Sequence, residues 1–382
     1  MNKTSIWTKP FIFIALINFF SFIAYNMIIT GIPVYITTLG GTSVIVGLIA
    51  SLSAFTSMFI RPISGLLIDR LGAKKILLFS MLTITALISG YALFPILAII
   101  LGLRITHGIA WGLGSTASST IASNEVPRNR FAEGMGYFAL TTSLSSAFAP
   151  TLAVSVMDNM GAKWMFTIAA ILTLSAGIMT FSQKGTATVS TTEKSTFNFS
   201  NLFEKDAVIP AILMFLVMCA FGSVTSFVVL YGKSLNIDNV SLYFIVYAIS
   251  SIATRPLIGK LIDRIGNTIP GIISALAVTA TLVLLSFTNS ITLLCIAGGI
   301  AGIGVGTAMG TFQTMAVASV SSERRGVATS TWYLGLDAGT AVGAFLAGVL
   351  SDMYGYSKMY LLMSTFALLA AIIIIIKRKQ FK

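Results

Sequence analysis

Apolar residues run along this chain in long unbroken stretches, and polar positions gather in short clusters between them, without strict alternation or a narrow helical stripe. A stretch of about 20 apolar residues is long enough to cross the hydrocarbon of a bilayer as a helix. Twelve such stretches are present: 11–36, 43–67, 76–94, 97–122, 132–156 and 163–182, then 207–231, 240–262, 270–288, 291–319, 327–351 and 358–376. The pattern predicts an all-α membrane protein of twelve transmembrane helices. The interval 183–206, with its run TATVSTTEKST, reads as a polar linker. The expected organisation is therefore a six-helix half over 1–182, the linker over 183–206, and a second six-helix half over 207–382.

The two halves share a sequence. RPISGLLIDRLG occupies 61–72 and RPLIGKLIDRIG occupies 255–266, 194 residues further on, with eight of twelve positions identical. Two unrelated apolar helices would not reproduce Arg-Pro, Asp-Arg and a closing Gly in register. The halves are read as homologous and pseudo-symmetric. Such a repeat can serve as a mere scaffold, but transporters place their sites at repeat interfaces.

Composition sets the solvent. With 56% hydrophobic and 9% charged residues and a mean hydropathy of +0.92, the chain is too apolar for a soluble globule. The net charge of +12 is distributed by topology. With both termini on the cytoplasmic side, eighteen Lys and Arg fall inside, and only Lys163, Lys233 and Lys358 fall outside. The charge thus reads as topology, with some attraction to anionic inner-leaflet lipid, and gives no nucleic-acid signal; the expected location is the cell membrane. The first span is too long for a signal-peptide core and lacks a convincing cleavage site, so it is expected to stay as a helix. Cys219 and Cys295 fall inside spans and suggest neither a disulfide framework nor a metal site.

Gly65, Asp69, Arg70, Gly72, Lys74 and Lys75 have the form G-x-L-x-D-R-x-G-x-K-K, and Gly259, Asp263, Arg264 and Gly266 repeat it without the basic pair. Together with twelve spans in two repeated halves, these residues resemble the major facilitator superfamily, most of all its twelve-helix drug:proton antiporters. In that family the motif lies between the second and third helices, with a weaker copy between the eighth and ninth, and acts as a conformational latch. A glycine permits close helix approach, and an aspartate can face a helix N-terminus; the simpler reading is a positive-inside anchor. Arg61 and Arg255, two turns upstream, read as structural. The resemblance further implies a fold that rocks one half against the other, a small-molecule substrate, energy from a proton gradient with no cofactor, and a monomer in contact with lipid and protons.

The fourth span carries Arg104, His107, Gly108 and Trp111 on one helical face. Arg104 with Gly108 matches the family's R-x-x-x-G motif, which implies helix positioning and proton transfer; tying down first-helix carbonyls is the alternative. His107 is the only histidine, with an unperturbed pKa of about 6.5 suited to a proton carrier, or it is a packing residue. Asp337 is the one acid away from loops and span ends, roughly 18 Å into its span at the helical rise. An ionisable group at that depth is a functional candidate by default, with Thr340 one turn away and Arg104 or His107 as partners. The proton-coupling set is therefore Asp337, Arg104 and His107, against a structural role for the Asp.

The expected cavity lining is Asn18, Tyr25, Asn26, Trp111, Tyr137, Gln313, Trp332 and Tyr333, a neutral and aromatic surface suited to amphiphilic or zwitterionic molecules. Gly298, Gly302, Gly306 and Gly310 form a smooth helix face. Two departures from the export pattern stand out: Ala149-Pro150 replaces Gly-Pro in the fifth span, and the first span lacks a carboxylate. One His and two distant Cys build neither a catalytic triad nor a zinc set, and no P-loop lysine motif appears, so the chain reads as no enzyme and no metal protein. The leading expectation is proton-coupled efflux by alternating access. The alternatives are an uptake symporter or facilitator for a small polar metabolite, and a sensor or scaffold that moves nothing; a long soluble extension would mark a sensor, and short tails with a 24-residue linker speak against it.

Overall fold

The computed structural model describes residues 5–127, 130–182, 204–318, 320 and 325–378. Among them there is no strand, and eleven α-helices follow in order: α1 Lys9–Thr38, α2 Ser43–Leu71, α3 Ala73–Leu93, α4 Leu97–Glu125, α5 Phe131–Met160, α6 Ala162–Ser182, α7 Val208–Ser234, α8 Leu242–Ile265, α9 Thr268–Ser286, α10 Ile291–Ala318 and α11 Arg325–Ile376. A backbone in hydrocarbon has no water to bond, so each segment satisfies its own N–H and C=O groups as a helix. Large apolar side chains lie more than half exposed on many of these helices, among them Phe59, Phe181 and Ile249, as a lipid-facing surface requires. Each observed helix falls on an expected stretch, α11 taking in the last two of the twelve, and several helices run well beyond the apolar core.

α11 is the exception in length. Its 52 residues would reach about 78 Å as one helix, more than twice the hydrocarbon thickness. It is broken at Gly355, which has φ 79° and ψ 165°, leaving helical stretches over 325–354 and 356–376.

That break belongs to a series. Gly72, Gly161, Gly266 and Gly355 all have φ between 73° and 89°, a region that costs an L-residue about 1–2 kcal/mol. Each stands three residues after an aspartate: Asp69, Asp158, Asp263 and Asp352. Gly161 and Gly355 are 194 residues apart, as are Gly72 and Gly266, and 89 residues separate the two members within each half. The D-x-x-G element therefore occurs four times, twice before and twice after the 183–206 interval, at matching spacing.

The helices form two compact units. One comprises 5–31 with 59–182, and the other comprises 32–58 with 204–378. The end of α1 and the first half of α2 thus group with the second unit. There a Cβ on Gly47 would stand 2.5 Å from the Ala344 carbonyl oxygen and 3.0 Å from Gly348 Cα. Of the expected linker, 183–203 lie outside the described residues, and its end forms a short 3-10 turn, Lys205–Ala207. The preceding Glu204 N–H donates to the Thr331 hydroxyl of α11 at 3.0 Å.

Within the second unit, glycines set the helix spacing. Gly335, Gly339 and Gly343 of α11 face the backbones of Ala211, Phe215 and Cys219 of α7, at a constant offset that makes the two helices parallel. A Cβ at any of the three would collide with the α7 carbonyl opposite. Gly298, Gly302 and Gly306 of α10 lie in the same way on Tyr243, Tyr247 and Ser251 of α8. Gly65 is different: it is exposed, and a Cβ there meets nothing within 4 Å among the described residues.

Replacing Gly339 by Ala is therefore expected to destabilise the protein by about 1–3 kcal/mol through overpacking of the seam, seen as a lower melting temperature in detergent. Gly65→Ala should change stability by no more than about 0.5 kcal/mol. Equal effects at the two positions would refute the seam.

Candidate functional site

In the first unit, polar side chains of α1, α4 and α5 meet. Asn18, 3% exposed, donates through Nδ2 to the hydroxyls of Thr141 at 2.8 Å and Thr142 at 3.1 Å, and accepts from Ser118 Oγ at 3.3 Å. A buried amide in hydrocarbon is costly unless its donors and acceptor are met, and one residue here meets them on two neighbouring helices. The seam continues along α5. Ser145 Oγ donates to the Phe19 carbonyl at 2.9 Å, and Asn26 Nδ2 approaches Ser146 Oγ at 3.4 Å while donating to the Phe22 carbonyl at 2.8 Å.

The aromatic part sits beside it. The Tyr25 and Trp111 rings stack at 3.8 Å and 1°, and Phe22 meets the Trp111 ring edge-on at 4.8 Å. Of the expected lining residues, Asn18, Tyr25, Asn26 and Trp111 are thus brought together along α1, α4 and α5. Tyr137 is not with them; it packs on Trp7 at 4.9 Å, before the start of α1. Asn18 is engaged as a tie between helices.

Arg104 and His107 are 1% and 0% exposed, and they face Tyr91 of α3. The Tyr91 hydroxyl lies 3.1 Å from His107 Nδ1, and Arg104 hydrogen-bonds the same hydroxyl. Phe166 of α6 packs on the Tyr91 ring at 5.7 Å.

In the second unit, Asp337 is 7% exposed on α11. The Thr340 hydroxyl, expected to serve it, donates to the Leu336 carbonyl at 2.9 Å. Trp332 and Tyr333 meet edge-on at 4.8 Å; Trp332 is buried and Tyr333 is 36% exposed. Gln313 is half-buried on α10.

Among the latch residues, Gly72 and Gly266 supply the positive-φ breaks already described. Arg70, Lys75 and Arg264 are exposed, and Lys74 Nζ donates to the Phe181 carbonyl at the end of α6 at 3.2 Å. The side-chain placements at Asp69, Gly259 and Asp263 lie outside the described residues. No group of three or more His, Cys, Asp or Glu able to hold a metal ion occurs among the described residues, and both cysteines are free.

Sequence reasoning missed Tyr91, Ser118, Thr141, Thr142, Ser145 and Ser146. The α5 residues did carry a signal, since hydroxyls at 141, 142, 145 and 146 make one polar stripe on an apolar helix. Tyr91 carried none.

Helices of this length and apolarity, with buried polar ties between them, define a multi-pass membrane protein. The sequence model described as Major Facilitator Superfamily matches residues 14–288 and 239–382, and the chain belongs to that family of transporters. It is a multi-pass protein of the cell membrane that moves a small molecule. It is 25% identical over 390 residues to the staphylopine export protein of Staphylococcus aureus (strain Mu50 / ATCC 700699), covering 97% of this chain and 96% of that one. It is 24% identical over 357 residues to the multidrug resistance protein MdtG of Serratia proteamaculans (strain 568), covering 88% and 86%. Its fold matches the nucleoside transporter NupG with a TM-score of 0.80 at 14% identity, covering 96% of this chain and 98% of that one. It also matches a POT family transporter in complex with 5-aminolevulinic acid, with a TM-score of 0.81 at 15% identity, covering 97% and 96%.

Asn18→Ala is expected to cost about 1 kcal/mol, the scale of a hydrogen bond between membrane helices. Combined with Thr141→Val it should cost less than the sum of the two single changes. A double-mutant cycle of melts in detergent checks this, and strict additivity would show that the tie carries no energy.

Proposed function

We propose that this protein is a proton-coupled exporter of a small amphiphilic or zwitterionic molecule, working as a monomer by alternating access. Twelve crossings with both termini cytoplasmic suit the excess of Lys and Arg on one side, the break at Gly355 within α11, and the apolar run Leu242–Thr254 of α8. Export is the activity named for the staphylopine relative, and multidrug resistance is named for MdtG.

The observation that carries the reading is Asp337, a carboxyl buried in the interior of α11, where an ionisable side chain is retained at a cost. Asp337 takes up and releases the proton during the cycle, and Arg104 and His107 tune the first unit. Substrate meets Tyr25, Asn26, Trp111, Gln313, Trp332 and Tyr333, with Asn18 and Tyr137 supporting them. The motif at Gly65, Asp69, Arg70, Gly72, Lys74 and Lys75, with its copy at Gly259, Asp263, Arg264 and Gly266, latches the cytoplasmic side and meets lipid phosphate. No cofactor takes part, and the proton gradient supplies the energy.

In everted vesicles with a pH-sensitive dye, addition of a zwitterionic or amphiphilic substrate should drive proton release that Asp337→Asn abolishes while substrate counterflow persists. Release that survives the substitution would remove Asp337 from coupling. Loss of counterflow as well would make the residue structural. Proton movement in the same direction as substrate would replace export by symport.

A further inference from the structure

We propose that Tyr91 is the positioning residue of α4: its hydroxyl holds Arg104 and His107, His107 answers as a hydrogen-bond acceptor through Nδ1, and the fixed helix face carries Trp111 against Tyr25. The inference rests on the transport reading above only for what Trp111 and Tyr25 do. It deepens that reading by giving His107 a fixed tautomer in place of a share in proton carriage.

The geometry is a directed chain. An arginine has donors and no acceptor, so the bond from Arg104 to Tyr91 uses the phenol oxygen as acceptor. The phenol hydrogen is then left for His107 Nδ1, 3.1 Å away. An Nδ1 that accepts leaves the ring hydrogen of neutral imidazole on Nε2. Nε2 is buried without a hydrogen-bond partner among the described residues, so the ring's one protein hydrogen bond runs through Nδ1.

A second proton would have to enter at Nδ1, where the Tyr91 hydrogen already points, beside the Arg104 charge and away from water. Tyr91 from α3 and Arg104 from its own helix stand beside the ring, and Phe166 of α6 packs on the far partner, the Tyr91 ring. The described carboxylates of this unit, Glu125 and Asp158, stand at the ends of α4 and α5.

The consequence travels one turn. Residues four apart lie on one helix face, so the rotation of α4 that seats His107 on Tyr91 also presents Trp111, whose ring stacks on Tyr25 at 3.8 Å. Tyr91 itself is 0% exposed. It acts through α4.

Because the chain holds one histidine, nitrogen-15 histidine labelling of the full-length protein in lipid nanodiscs gives a single imidazole. Its two nitrogen shifts should report the Nε2–H tautomer throughout pH 5 to 8. A doubly protonated ring, or a ring protonated at Nδ1, within that range would overturn the proposal. Fluorine-19 spectra of protein carrying 5-fluorotryptophan read the second half, with the Trp111 line assigned by Trp111→Phe.

Tyr91→Phe should shift the Trp111 line and leave those of Trp7, Trp164 and Trp332 in place. His107→Gln, which lacks an atom at the Nδ1 position, should do the same. His107→Asn, whose amide reaches that position, should restore the wild-type line. An unmoved Trp111 line in Tyr91→Phe, or failure of His107→Asn to restore it, would sink the positioning role. Neither spectrum depends on transport, so both results stand apart from the outcome for Asp337→Asn.

Discussion

A polar group inside hydrocarbon has no water to fall back on, and the whole molecule follows from that constraint. The backbone meets it locally, which is why every described span is helical. Side chains cannot meet it locally except through a carbonyl one turn back, and many Ser and Thr hydroxyls here do just that. Those that reach further tie helices together. Asn18 is bonded on two helices at once, and the Arg104, Tyr91 and His107 set binds α3 to α4. In each case the polar atoms have replaced water by each other, and the tie then fixes the rotation of a helix that also carries candidate substrate residues.

Packing uses the opposite device. Between apolar helices in lipid there is little hydrophobic drive, so van der Waals contact must be gained by bringing backbones close. The second unit does this with glycine, on α11 against α7 and on α10 against α8. Both seams join parallel helices with a constant offset. The four positive-φ glycines after aspartates do a different task, turning the chain sharply between helices where no other residue is comfortable.

Much of this architecture was legible in advance. Apolar runs located every described helix, because spanning length depends only on the bilayer, and the repeated twelve-residue motif was visible because charge and glycine recur in register. The finer duplication was harder to see. At Gly161 and Gly355 the Asp-Arg pair is lost, although Gly161-Ala162-Lys163 repeats Gly72-Ala73-Lys74, and the recurrence becomes evident when backbone dihedrals single out the same glycine four times. The site was legible residue by residue but not in its grouping. Arg104, His107 and Trp111 share a face by spacing, yet which neighbour each meets depends on α3 and α1, far away in sequence.

The amino-acid sequence by itself determined the class of the protein, its helices, its duplication and the identity of its rare interior ionisable residues, because each of these is set by transfer of groups into hydrocarbon and is local or periodic along the chain. Only the tertiary structure decided that Tyr91 stands between Arg104 and His107, that Asn18 ties three helices, and that the first half of α2 groups with the second unit through Gly47. Those are pairings between helices, and a helix with apolar residues on every side carries no stripe to say which of its faces meets which neighbour.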